Sequence, residues 1–322
     1  MQPEINVVNV SQPPRSKANL IFDVKRNSLD DGPGIRSVVF FKGCPLSCGW
    51  CQNPESIDTG FELLFDAEKC IHCNDCVRVC PENAIDKNRA DPIVRNACTL
   101  CLECVQECPS CALEVVGRDL PVDDLIREVL QDQAFFSVSG GGVTVSGGEP
   151  LMQMDTVSEL FKRLKQKGIH TLIETSGFFN FRAFEKKVLP YTSTVYMDIK
   201  LMNSTAHKTY CGVPNDVILN NFKSLQAIAA DGNLGLLPRV PLIPEITATA
   251  ENLTNIADFV VRHGAPRIQL LPYNPLFLDK LPKIGGTSKL DLGQRSRKFI
   301  PEQEIERMKR IFTDRGLEVI CH

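Results

Sequence analysis

The chain has 322 residues, of which 43% are hydrophobic and 23% charged, and a formal net charge of −3. That is enough for one large domain of the α/β-barrel kind or two ordinary ones, with a substantial buried core. No Lys/Arg block points to nucleic acid or an anionic membrane, and no apolar stretch reads as a signal peptide or a membrane span, so a cytoplasmic location is expected. In a chain of this kind, fourteen cysteines in tight clusters point to metal rather than disulfides. Eleven fall in three clusters, while Cys111, Cys211 and Cys321 stand alone and receive no role.

Residues 1–20, with Pro3, Pro13 and Pro14, read as a polar arm. A first strand is predicted over 37–42, running into Gly43 and the segment GCPLSCGWC. There Cys44, Cys48 and Cys51 have the spacing C-x3-C-x2-C, and thiolates are soft ligands suited to iron–sulfur clusters or zinc. A four-iron cluster normally takes four thiolates. With three from one loop and no distant fourth, one iron keeps an open position for a substrate.

Residues 70–81 read CIHCNDCVRVCP and residues 98–109 read CTLCLECVQECP. The duplicated C-x2-C-x2-C-x3-C-P run resembles bacterial two-cluster ferredoxins, in which the fourth cysteine of each run ligates the other cluster. That resemblance implies one set of Cys70, Cys73, Cys76 and Cys108, and a second of Cys98, Cys101, Cys104 and Cys80. Zinc knuckles are the alternative, although structural zinc usually uses two separated cysteine pairs. A unit spanning 66–116 is too small to build much apolar core, so metal must supply folding free energy. It reads as an insert in a larger domain formed by 21–65 and 117–322.

Further strands are predicted over 143–146, 171–175, 194–199, 236–242 and 267–271, as near-continuous apolar runs buried on both faces. Between them, Val157, Leu160, Phe161 and Leu164, and likewise Leu253, Ile256, Ala257 and Val260, follow helical spacing. Six strand–helix units fit a partial (β/α)6 barrel, with an open doubly wound sheet as the alternative. In both, ligands sit at the carboxyl ends of the strands. Polar residues gather there: Ser146-Gly147-Gly148-Glu149-Pro150, Glu174-Thr175-Ser176-Gly177, Asp198-Ile199-Lys200, Arg239 and Pro272-Tyr273-Asn274. The 275–300 stretch lacks a helical period and reads as a lid or docking loop.

At this point the chain resembles the radical S-adenosylmethionine (SAM) enzymes, and within them the glycyl radical enzyme activating enzymes. The motifs that carry the resemblance are DGPGIR at 31–36, GCPLSCGWCQNPE at 43–55, SGGGVTVSGGEPL at 139–151, ETSG at 174–177 and MDIK at 197–200. The resemblance implies three [4Fe–4S] clusters, one of them on Cys44, Cys48 and Cys51, with SAM chelated to its open iron. Reductive cleavage of SAM would yield a 5′-deoxyadenosyl radical, which takes a hydrogen from a glycine Cα of a partner glycyl radical enzyme. A flavodoxin or ferredoxin would donate the electron, in a cytosol without oxygen.

The same resemblance implies residue roles. Gly147 and Gly148 let backbone approach SAM. Glu149 either assists there or only pairs structurally. Asp198 accepts hydrogen bonds from a ribose or the amino group, Ile199 continues that run, and Lys200 neutralises the SAM carboxylate, with Arg239 a second candidate. Glu174 and Thr175 match a position near SAM. Trp50, Gln52 and Asn274 face adenine, Asn274 standing where relatives often have His. Asp31 faces the partner's glycine peptide. A radical SAM enzyme acting on a small molecule or nucleic acid, and a ferredoxin-type electron carrier, are the competing readings. The insert is open to two readings, an electron relay or a scaffold for the partner.

Overall fold

A computed structural model describes residues 20–288, 290, 295 and 297–321. The arm expected over 1–20 lies outside the described residues except for Leu20, which opens a strand. In chain order the strands are β1 (Leu20–Ser28), β2 (Arg36–Phe41), β3 (Glu62–Phe65), β4 (Leu113–Val116), β5 (Arg118–Asp119), β6 (Gly142–Gly147), β7 (His170–Thr175), β8 (Thr194–Asp198), β9 (Gly235–Leu242), β10 (Arg267–Pro272) and β11 (Glu318–Ile320).

The six strands expected from sequence are β2, β6, β7, β8, β9 and β10. They pair in parallel and lie side by side in chain order. A doubly wound sheet would reverse its order at a switch point, and this one does not. Right-handed crossovers then leave the helices on one side and the other side free to form an interior. The sheet is also curved. Ser146 on β6 and Gln269 on β10 line one cavity, although four strand spacings separate them, about 19 Å on a flat sheet. Antiparallel β1 and β5 extend the β2 side, parallel β11 extends the β10 side, and among the described residues the two outer edges are not joined.

Strand formation follows from two-sided burial: Val38, Val39, Val143, Val145, Leu172 and Ile173 are all fully buried. The helices pack their predicted faces. Val157, Leu160, Phe161 and Leu164 of helix Met154–Gln166 are buried, as are Leu253, Ile256, Ala257 and Val260 of helix Ala250–Arg262. Each Val, Leu, Ile or Phe among them contributes about 1.5–3 kcal/mol on burial. The second helix is capped by Thr249, whose hydroxyl accepts from Asn252 N at 3.2 Å.

Strand β3 pairs antiparallel with β4 and starts before the 66–116 bounds, so the two strands close the base of the cysteine-rich unit. That unit has its own small core of Leu63, Ile85, Ile93, Leu102, Cys104 and Leu113. Among the described residues, no helix is long and apolar enough to cross a membrane.

Candidate active site

The strand ends surround a cavity of about 410 Å³, a size that takes a nucleoside-scale ligand. Of the residues singled out in sequence, the cavity is lined by Asp31, Cys44, Cys48, Trp50, Cys51, Gln52, Gly147, Gly148, Glu174, Thr175, Asp198, Lys200, Arg239 and Asn274.

The cysteine loop is held from three sides. Gly43 N and Cys44 N donate to Ser56 O (2.7 Å) and Ile57 O (3.1 Å). Ser47 N and Gly49 N donate to Cys211 O (2.9 Å) and Tyr210 O (3.1 Å), at the C-terminus of helix Ser204–Cys211. Glu149 N donates to Gly43 O at 2.8 Å. The two glycines of the GGEP turn are needed for this contact. A Cβ on Gly147, whose φ is +104°, would lie 2.5 Å from Phe41 O, and one on Gly148 would lie 2.3 Å from Gly43 O. Their bare backbone therefore lets the turn press against the cysteine loop.

Glu149 and Ile199 do not line the cavity. Glu149 is fully buried and accepts from Thr175 Oγ1 (2.8 Å), Ser176 N (2.9 Å), Ser176 Oγ (2.6 Å) and Leu151 N (3.2 Å). It ties the GGEP turn to the end of β7, the structural one of its two roles considered from sequence. Burial pushes its carboxyl up against those donors. Ile199 lies in the core, its N–H bonded to Arg239 O at 2.8 Å.

One face of β7, β8, β9 and β10 carries a charged row. Asp198, Arg239 and Gln269 are register neighbours on adjacent strands. Arg239 Nε donates to Asp198 Oδ1 at 2.9 Å, and its Nη1 donates to Glu174 Oε1. Glu174 also accepts from Ser146 Oγ at 2.6 Å, and the guanidinium lies 5.5 Å from the Tyr196 ring centre. Lys200 Nζ donates to Asp198 Oδ2 at 3.1 Å. Burial opposes the charge on Asp198, but Lys200 and Arg239 hold it below the usual carboxylate range. Burial likewise opposes the charge on Lys200, and Asp198 and Cys48 outweigh it.

The described start of the 275–300 stretch is a strap rather than a free loop. Phe277 is buried, and Lys280 Nζ donates to Gln52 O at 2.8 Å. Gln52 Nε2 donates to Asn274 O at 2.9 Å, and Asn274 Oδ1 accepts from Leu276 N at 3.0 Å. Lys283 pairs with Asp66 at 2.7 Å, joining the strap to the insert. Lys42, buried at the end of β2, donates to Glu55 O and Glu62 Oε2, both at 2.7 Å, and so links the cysteine loop to β3.

Asp31 comes from the turn between β1 and β2. Its carbonyl accepts from Thr144 Oγ1 at 2.8 Å, and Thr144 Oγ1 accepts from the buried Arg36 at 2.6 Å. Its carboxylate accepts from Ser28 Oγ and lies 3.6 Å from Lys25 Nζ.

The donor set fits an iron–sulfur cluster. All eleven clustered cysteines are free thiols. Burial pushes Cys44 and Cys51 up to about 12, so metal uptake there must displace their protons. A hydrogen bond from the Cys211 thiol, together with Lys200, holds Cys48 below the usual thiol range. In the insert, Cys80, Cys98, Cys101 and Cys104 line one recess, and Cys76 feels the charges of Cys108, Cys70 and Cys73.

Sequence reasoning placed Ser146 at the rim without a role and missed Gln269 and Cys211. The available signal for Gln269 was a polar residue interrupting the apolar run Ile268–Leu271; for Ser146 and Cys211 it was position alone, one at a strand end and one at a helix end.

A sequentially ordered parallel sheet bearing three free thiols beside a glycine turn and a charged row defines a metal-cluster α/β enzyme. Comparison with known proteins narrows this. A 4Fe-4S dicluster domain matches residues 62–125, and a 4Fe-4S single cluster domain matches 30–83 and 94–213. The trans-4-hydroxy-L-proline dehydratase activating enzyme of Clostridioides difficile is 38% identical over 297 residues, 91% of this chain and 95% of the relative. The (2S)-3-sulfopropanediol dehydratase activating enzyme of Klebsiella oxytoca is 34% identical over 315 residues, 95% of this chain and 98% of the relative. Streptococcus suis SuiB bound to its precursor peptide SuiA shares the fold, with a TM-score of 0.51 and 15% identity over 88% of this chain and 48% of that one. The chain belongs to the glycyl radical enzyme activating enzymes of the radical SAM class, in the form with an inserted iron–sulfur unit.

Proposed function

We propose that the protein activates a partner glycyl radical enzyme at the cavity beside Cys44, Cys48 and Cys51. The observation that carries this reading is that those three thiols share one cavity with Gly147, Gly148, Asp198 and Lys200 at the ends of parallel strands. A [4Fe–4S] cluster held by Cys44, Cys48 and Cys51 would supply one electron for reductive cleavage of SAM to methionine and a 5′-deoxyadenosyl radical, which would take a glycine Cα hydrogen from the partner.

The chain's own residues bind and orient. Lys200 has one carboxylate partner and retains donors for the SAM carboxylate. Arg239 is already engaged by two carboxylates and serves more to hold Asp198 and Glu174 in place. Asp198 is kept ionised to accept from the SAM amine or ribose. The Gly147–Gly148 backbone, Trp50, Gln52, Thr175 and Asn274 shape the nucleoside wall, and Asp31 faces the partner. The crossed cysteine sets of the insert would hold two further clusters, three in all, fed by a flavodoxin or ferredoxin.

The test is anaerobic electron paramagnetic resonance with dithionite, SAM and a panel of purified glycyl radical enzymes, starting with trans-4-hydroxy-L-proline dehydratase and (2S)-3-sulfopropanediol dehydratase. A glycine-centred doublet on one member is expected. SAM cleavage with no glycyl radical on any member would turn the reading toward a small-molecule substrate.

A further inference from the structure

Gln269 lies on β10, is 7% exposed, lines the cavity, and its Oε1 is buried with no hydrogen-bond partner among the described residues. A buried carbonyl oxygen without a donor is costly, so such a group calls for an explanation. Its row neighbour does not provide one: Arg239 directs its guanidinium to Asp198 and Glu174. The charged row ends at Gln269 with an acceptor still open.

Position indicates what would fill it. The six parallel strands run from β2 to β10, and among the described residues the outer edges of the sheet are not joined. Asp31 lies in the connection leading into β2, Gln269 lies on β10, and both line the same cavity. They bound it at the two ends of the parallel set, flanking the seam where the barrel stays open. A chain entering that seam would pass between them.

A glycine has no side chain, so a site that places it can hold only its backbone N–H and C=O. The Asp31 carboxylate already has Ser28 and Lys25. Gln269 Oε1 is a buried neutral acceptor without a partner among the described residues.

We propose that Gln269 is a specificity-determining residue whose Oε1 accepts a backbone N–H from the glycine-bearing segment of the partner enzyme. This rests on the activating function above. The competing donors are those of SAM: a ribose hydroxyl, the amine or the adenine amino group.

The experiment compares wild type, Gln269→Leu and Gln269→Glu as full-length, cluster-loaded protein. It uses whichever panel enzyme the wild type activates and measures 5′-deoxyadenosine released per glycyl radical formed, with KM for SAM and for the partner. Loss of one hydrogen bond predicts that Gln269→Leu raises that ratio and the partner KM about tenfold. Gln269→Glu, which keeps an acceptor but no N–H donor, recovers most of the coupling. If Gln269→Leu lowers both products together and moves only the SAM KM, the acceptor serves SAM and the proposal is wrong. If neither quantity moves, or Gln269→Glu is as poor as Gln269→Leu, it is also wrong. Wild type that cleaves SAM yet activates no panel member would refute the activating function itself, with no reference to Gln269.

Discussion

Cys211, fully buried at the end of helix Ser204–Cys211, accepts at its carbonyl from Ser47 N at 2.9 Å, and its thiol acts on the Cys48 sulfur, holding it below the usual thiol range. A cysteine outside every cluster motif thus touches one of the three sulfurs expected to hold iron. Hydrogen bonds to cluster sulfurs raise a cluster's potential. Cys211→Ala should therefore keep its full iron content but shift the potential of the site cluster downward by tens of millivolts. A redox titration followed by electron paramagnetic resonance checks this, and an unchanged potential would remove the thiol from any tuning role.

Gly148→Ala should disturb one cluster only. The added methyl would lie 2.3 Å from Gly43 O, against the backbone of the cysteine loop. On the proposed three-cluster reading, iron should fall from about 12 to about 8 per chain as the site cluster is lost. Iron analysis with spectra of the reduced protein reads the difference.

Arg239→Met would leave Asp198 and Glu174 facing each other without their shared cation. Removing one partner of a buried ion network costs about 3–5 kcal/mol. Urea unfolding should show that loss, and adding Glu174→Gln should recover part of it.

His170, on β7, is held down to about 4 by burial and by the charge of Arg36. The unfolded chain binds this proton below about 6.5, whereas the folded chain binds it only near the lower value. In that window the unfolded state carries more protons, so stability falls as pH drops from about 6.5 toward 4 and levels off below. His170→Gln should flatten that part of the stability curve, and denaturation at a series of pH values measures it.

The six-strand parallel sheet was legible because most positions on both strand faces are buried and apolar, as in the adjacent pairs Val38–Val39 and Leu172–Ile173. Strand β1 was not, because Asp23, Lys25 and Arg26 occupy its outer positions and break the run. Strand β11 has three residues, too few to show a pattern. At the site, cysteine spacing announced its own chemistry, and strand ends told where polar residues gather. Burial was what the sequence could not show. Glu149 reads as a rim carboxylate and is instead walled in by four donors, while Gln269 reads as part of a strand and faces the cavity. Both outcomes depend on which neighbouring strand supplies a partner, information that no local motif contains.

The most direct test of the central claim is 5′-deoxyadenosine release from SAM by the anaerobically reduced protein, wild type against Cys48→Ala. Wild type should release it, and Cys48→Ala should release none while retaining the clusters of the insert. Undiminished release by Cys48→Ala would contradict a cluster held by Cys44, Cys48 and Cys51 as the centre that cleaves SAM.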